Sequence, residues 1–155
     1  MAVEIERKWL VPGPLPGIVA AVAAEPIEQG YLVIAEDGSE ARLRRKSGRP
    51  VLTVKSAGTL TRQETEIDLS EDQYAALWPA TAGRRLTKDR HRLPDGIDVD
   101  VYTGALAGLI VAEVEFASES DADAFTAPDW FGTDVTADLA YKNHRLATRG
   151  RPDGA

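Results

Sequence analysis

Glu4-Ile5-Glu6-Arg7-Lys8, continued by Trp9-Leu10-Val11, puts charge at every second position near the start of a 155-residue chain. In an extended strand successive side chains point to opposite faces, so Glu4, Glu6 and Lys8 share one face and Val3, Ile5, Trp9 and Val11 the other. The same period returns along the sequence. Arg42 and Arg44 are followed by Lys55, then by Arg62, Glu64, Glu66 and Asp68, then by Lys88, Arg90 and Arg92. Asp98 and Asp100, and finally Glu113 and Glu115, complete the charged parity. The opposite parity holds Ala41, Leu43, Leu52, Val54, Ile67, Leu69, Val99, Val101, Ala112, Val114 and Phe116, interrupted by Arg7, Arg45, Thr65 and Asp89.

For any one strand, an apolar face on helices and a charged face in water accounts for such alternation. Two features argue for something else here. Glu is a poor strand former, yet Glu-x-Glu occurs three times in strand-like context, at Glu4/Glu6, Glu64/Glu66 and Glu113/Glu115. The helices are also too few and too short to cover a broad sheet. Strand-like runs lie at 3–11, 27–36, 40–46, 51–56, 62–69, 84–93, 97–103 and 109–118, separated by turn residues such as Asp37-Gly38, Ser47-Gly48 and Asp95-Gly96. Helices are expected at 71–78, capped by Ser70 with Gln73 and stopped by Pro79, after Ser120 and before Pro128, at 15–24, and at 138–147. The fold expected is mainly β (α+β): a closed eight-stranded antiparallel β-barrel with a few short helices, closure leaving no exposed edge.

A barrel with its charged parity inward cannot be dry, because removing an ion from water costs several kcal/mol unless it is paired, hydrated or met by a ligand. Oxygen ligands in Glu-x-Glu pairs suit Mg²⁺ or Mn²⁺, and converging Lys and Arg suit phosphate oxygens. Together they describe a site for a metal-bound polyphosphate.

Composition narrows the alternatives. The 43% apolar content supports one core, hence one domain over 1–147, with the Gly-, Arg- and Pro-rich 148–155 expected to be a disordered tail. The absence of Cys excludes disulfides, zinc-thiolate sites and a thiol nucleophile. A formal charge of -7 argues against a general nucleic-acid binder. No apolar run approaches the roughly 20 residues that cross a bilayer, so a cytoplasmic protein without a membrane partner is expected. A homodimer is compatible with this surface chemistry. His91 is expected to pack outward and His144 to lie at the surface, two isolated histidines making no metal set. Trp78 and Trp130 are expected to pack helices, and Asp68, Asp98 and Arg92 fit either a barrel mouth or solvent.

The chain resembles the CYTH, or triphosphate tunnel metalloenzyme, family over nearly its full length. The resemblance rests on Glu4-Ile5-Glu6-Arg7-Lys8 as an E-x-E-x-K strand, followed in order by Arg42-Leu43-Arg44, Leu52 to Ser56, Arg62 to Glu66, Lys88-Asp89-Arg90, Asp98-Val99-Asp100, Ala112 to Glu115, Val135-Thr136 and Tyr141-Lys142-Asn143. Within that family it is most similar to the small bacterial inorganic triphosphatases, with Trp9 where those usually have Phe. The resemblance implies an eight-stranded tunnel that binds triphosphate with Mg²⁺ or Mn²⁺. It implies Glu4, Glu6, Glu64, Glu66, Asp100, Glu113 and Glu115 as the metal-binding acids, and Lys8, Arg42, Arg44, Lys55, Arg62, Lys88 and Arg90 as phosphate ligands. Tyr31 would pair with Lys88 across the lumen, and these two with Glu6 and Glu115 would form the catalytic set. Asn143 would fix the C-terminal helix. The activity implied is hydrolysis of tripolyphosphate to pyrophosphate and orthophosphate. Adenylate cyclase, thiamine- or nucleoside-triphosphatase activity, and a non-catalytic polyphosphate-binding module remain as alternatives.

Overall fold

The computed structural model describes residues 2–152. Eight strands, β1 (Ala2–Leu10), β2 (Ala24–Ile34), β3 (Glu40–Lys46), β4 (Arg49–Lys55), β5 (Thr61–Asp68), β6 (Arg85–Arg92), β7 (Ile97–Thr103) and β8 (Ile110–Glu115), close into a barrel in the order β1-β5-β4-β3-β2-β6-β7-β8. Every ladder is antiparallel. β1 closes the circle by pairing its first half, Ala2 to Ile5, with β5 and its second half, Glu6 to Leu10, with β8.

The register sets the expected parity inward. Opposed residues share a face, so Glu4 opposite Arg62, Glu6 opposite Glu115, Lys8 opposite Glu113, Lys55 opposite Glu64, and Arg90 opposite Asp100 all point into the lumen. A bulge between Tyr31 and Val33 on β2 inserts one residue, so Tyr31 opposite Arg42 faces inward whereas Val33 opposite Ala41 faces out. Gly30 precedes the bulge because a Cβ there would lie 2.5 Å from the Thr81 Oγ1.

Two apolar clusters flank this wall. Outside, Trp9, Val11, Leu93, Ile97, Val99, Ala112 and Val114 are covered by Val19 of α1 (Gly17–Ala20) and by Phe116, Phe125 and Phe131, with Trp9 5.3 Å from the Phe125 ring and 4.9 Å from the Phe131 ring. Inside, Leu86, Tyr102 and Val111, with Leu10, pack on Val135, Tyr141 and Leu146, so α4 (Asn143–Arg149) fills one end of the lumen.

Helix α2 (Glu71–Leu77) has the expected capping box from Ser70 and Gln73, and continues into a 3-10 turn at Trp78–Thr81. Trp78 stacks on Tyr74 at 5.3 Å, and Trp130 meets Phe131 at 4.6 Å. The other helices depart from expectation. α3 (Glu119–Ala124) is capped by Ser118, whose side chain accepts from the Asp121 N–H, not by Ser120. The helix expected over 15–24 shrinks to α1, because from Ala24 onward the chain pairs with His91 of β6, and a closed ladder outweighs Ala helix propensity. The last helix breaks at Lys142, whose φ of -64° and ψ of 139° are extended, into a 3-10 turn at Leu139–Tyr141 and α4. α4 takes up Thr148 and Arg149 from the expected tail, and Arg151 donates to the Ala107 carbonyl at 2.9 Å. The remainder of that tail, 153–155, lies outside the described residues. No described helix is long and apolar enough to cross a membrane.

Candidate active site

The inward row of β1 reads Glu4, Glu6, Lys8, Leu10, passing from acid through base to the apolar plug. Around it lies a cavity of about 440 Å³, lined by Glu4, Glu6, Lys8, Tyr31, Glu40, Arg42, Arg44, Lys55, Arg62, Glu64, Glu66, Arg90, Glu113 and Glu115 from the strands. Arg92, Asp98 and Lys46 line its other end, away from the plug, and Thr136, Asp138, Tyr141, Lys142 and Asn143 line it from the C-terminal arm.

Most of these charges are already neutralised by a neighbour. Arg90 grips Asp100 through two hydrogen bonds, Nε to Oδ1 at 2.7 Å and Nη2 to Oδ2 at 2.8 Å, and its Nη2 also donates to Glu113 at 2.9 Å. Lys88 Nζ reaches Asp100 Oδ2 at 2.7 Å, both side chains being 0% exposed. Lys8 lies 3.6 Å from Glu113. Lys55 bonds Glu4 at 2.7 Å and approaches Glu64 at 3.5 Å, and Arg62 bonds Glu40 at 2.9 Å. Such pairing is what allows so many ions to share an interior.

The electrostatics follow from these contacts. Burial pushes the Asp100 carboxyl up, but Arg90 and Lys88 outweigh it and hold the group well below the usual carboxylate range. Burial likewise opposes, and Lys8 and Arg90 override, at Glu113, which is held down to about 2. Lys88 moves the other way: burial, helped by Arg90 and opposed by Asp100, pushes its ammonium below the ordinary lysine value.

What is left over differs in kind. Glu4, Glu6 and Glu115 each bring a carboxylate oxygen to within 4.8 Å of the others, and Glu6 and Glu115 have no ion-pair partner among the described residues. Burial and then Glu113 raise the Glu6 carboxyl, while burial and then Glu4 and Glu6 raise that of Glu115. Three carboxylates gathered this closely, two of them unpaired, fit a hard divalent cation. Across the lumen, Arg42 and Arg44 face no carboxylate within ion-pair reach, and the buried Arg42 Nε lacks any hydrogen-bond partner. Arg44 donates to the Gln29 side chain at 3.3 Å, and burial followed by the Arg42 and Arg90 charges lowers it to about 10, so it stays cationic at neutral pH.

The structure therefore gathers most of the residues expected from the sequence and separates a few. Lys88 and Asp100 sit behind the cavity wall, as a buried pair. Lys88 does not pair with Tyr31: its neighbours are Asp100, the Tyr102 ring at 5.3 Å and Asn143 Oδ1 at 3.5 Å. Tyr31, fully buried, accepts from Gln29 Nε2 at 2.8 Å and contacts Arg42. The short Asp100 contact holds Lys88, while Gln29 and Arg42 hold the Tyr31 hydroxyl, so the two side chains meet different neighbours. His91 packs outward as expected, its Nδ1 2.8 Å from the Val22 carbonyl. His144 does not lie at the surface: it is 5% exposed, with Nδ1 3.3 Å from Glu40 and its ring against Tyr31, because α4 turns into the lumen. Asn143 ties α4 to Tyr102 and Lys88 through its Oδ1, as expected. Thr136, Asp138 and Lys142 line the cavity from outside any strand, where alternation is silent, although Thr136 and Lys142 fall in the segments that carry the family resemblance.

No family model matches the chain. It is 48% identical to an inorganic triphosphatase of Nitrosomonas europaea over 148 residues, 93% of this chain and 96% of that protein. It is 30% identical to an inorganic triphosphatase of Acetivibrio thermocellus over 151 residues, 94% of each. A crystal structure of the inorganic triphosphatase NE1496 superposes with a TM-score of 0.67 at 43% identity, over 98% of this chain and 99% of that one. With near-complete overlap and a shared barrel, the chain belongs to the inorganic triphosphatase group of the CYTH, or triphosphate tunnel, family.

Proposed function

We propose that this protein hydrolyses inorganic tripolyphosphate to pyrophosphate and orthophosphate in its lumen, with a divalent metal. The observation that carries the reading is the opposition of charge across the lumen: the Glu4, Glu6 and Glu115 cluster, of which Glu6 and Glu115 have no ion-pair partner among the described residues, on one wall, and Arg42 and Arg44 on the other. A pure anion binder would be repelled by such acids unless a cation stood between. Glu4, Glu6 and Glu115 would hold Mg²⁺ or Mn²⁺, which when bound polarises phosphate oxygens as a Lewis acid.

This chain's own groups would then position the substrate. Arg42 and Arg44 donate to phosphate oxygens, the free Arg42 Nε among the donors, and neutralise charge that develops on the equatorial oxygens. Lys8, Lys55, Arg62 and Arg90 surround that position with further donors. Each is shared with an acid, which fixes its rotamer before substrate arrives. Glu64, Glu66 and Glu113 complete the acidic lining, and Tyr31 presses on Arg42. Lys88 and Asp100 are assigned to positioning, acting through Arg90. No protein nucleophile is required, since phosphoryl transfer asks mainly for positioning and electrostatic stabilisation. A cytoplasmic location and a homodimer belong to the same reading.

The test is orthophosphate release from tripolyphosphate, ATP and thiamine triphosphate with Mg²⁺, Mn²⁺ or EDTA. Metal-dependent release from tripolyphosphate, far above that from the two organic triphosphates, is expected. A cyclic nucleotide formed from ATP, or metal-independent binding without release from any of them, would replace this reading with the cyclase or the binding module.

A further inference from the structure

Gln29 sits on β2 opposite Arg44 of β3 and Leu86 of β6, so its side chain shares the inward parity, yet it is 0% exposed and does not line the cavity. An amide buried behind a wall of ions needs partners for both of its ends. Arg44 Nε can only donate, which fixes the orientation of the amide: Oε1 accepts from Arg44 at 3.3 Å, and Nε2 donates to the Tyr31 hydroxyl oxygen at 2.8 Å. The bond to Gln29 is the one hydrogen bond of the Arg44 side chain among the described residues. Burial, followed by the Glu40 charge, raises the Tyr31 phenol above its ordinary value, so the anchor of the amide stays neutral.

The other lumen cations have partners of a different kind. Lys8, Lys55, Arg62 and Arg90 are held by carboxylates, which fix their rotamers and also offset their charge. Arg44 is held by a neutral amide, which fixes the guanidinium and leaves its charge uncompensated. Because the bond uses Nε, both Nη nitrogens stay free to donate to phosphate oxygens.

We propose that Gln29 is a positioning residue: anchored on Tyr31, its amide aims the Arg44 guanidinium at the phosphate chain without neutralising it. This rests on the triphosphatase reading. A guanidinium already aimed at the place where charge develops needs no reorganisation during the reaction, so the amide acts on turnover more than on binding. A carboxylate in its place would hold Arg44 and cancel it, whereas an apolar side chain would keep the charge and lose the aim.

Gln29→Met separates aim from charge. In steady-state kinetics on tripolyphosphate with Mg²⁺, its kcat should fall on the order of tenfold with KM within about threefold. The same substitution in an Arg44→Met background should cost less than about twofold, because Gln29 acts through Arg44. An unchanged kcat in Gln29→Met, or an equal cost in both backgrounds, would overturn the proposal. A second readout needs only the wild type: in nitrogen-15 NMR the Arg44 Nε–H, identified by its loss in Arg44→Met, should exchange with water at least about tenfold more slowly than that of the exposed Arg149. Equally fast exchange at the two would overturn the hold on Arg44 even if Gln29→Met does not fold. If the wild type does not hydrolyse tripolyphosphate, the hydrolytic reading fails while the exchange measurement still decides whether Gln29 holds Arg44.

Discussion

Glu6 and Glu115 carry the cost of the site. Both carboxyls are raised above their ordinary range, first by burial and then by neighbouring acids. A carboxyl whose folded pKa is raised favours the protein when protonated and loses that contribution as pH climbs through the folded value, so at neutral pH the ionised pair weakens the metal-free fold. Glu6→Gln should therefore raise the thermal unfolding midpoint in EDTA while cutting metal-dependent turnover at least about 100-fold. Mg²⁺ should raise the midpoint of the wild type and leave that of Glu6→Gln nearly unmoved. A variant that is less stable than the wild type in EDTA would contradict this view of Glu6. Period-two reading found both residues because strand geometry fixes parity without reference to the rest of the chain. It could not tell which charges would remain unpaired, since that depends on partners on neighbouring strands, such as Arg90 and Lys88 with Asp100, which holds Lys88 away from Tyr31.

Among the elements, α4 and β1 do complementary work. β1 supplies the graded row Glu4, Glu6, Lys8 and Leu10, and α4 supplies Leu146, which packs on the inward Leu86, Tyr102 and Val111. Leu146→Ala should lower the unfolding free energy by about 2–5 kcal/mol in urea titration, because the surrounding barrel cannot collapse onto the cavity. A loss well under 1 kcal/mol would mean that the plug is not part of the cooperative core. The strands were legible nearly to their ends, because alternation and turn residues mark them. The C-terminal arm was not. Its role depends on Tyr141, Lys142 and His144 meeting β-strands more than a hundred residues away in some cases, such as Glu40, and no local period encodes that. The bulge at Leu32 escaped for the same reason, being defined by the ladder with β3.

The closed barrel as a whole is held by an interior ladder running Lys8, Glu113, Arg90, Asp100 and Lys88, with Arg62, Glu40 and His144 beside it. Asp100 and Glu113 are held low as described, and at Glu40 burial is overridden by His144, Arg42 and Arg62. A depressed folded pKa contributes stability above the unfolded value and loses it as pH falls through the folded one. The protein should thus lose several kcal/mol of unfolding free energy between about pH 4.5 and pH 2, read by urea titration across that window. A flat profile there would contradict an ion-paired interior. The barrel, its closure and its inward charge could be anticipated because desolvation forbids an unpaired dry interior; which end α4 would close could not.

The opposed charges of the lumen imply one further dependence that a single preparation can test. Orthophosphate release from tripolyphosphate should be absent in EDTA, appear on adding excess Mg²⁺ or Mn²⁺, and fail to appear in Glu6→Gln and Glu115→Gln that still unfold cooperatively. Turnover in EDTA equal to that with metal, or full activity in both variants, would contradict the assignment of Glu4, Glu6 and Glu115 as the metal-holding wall.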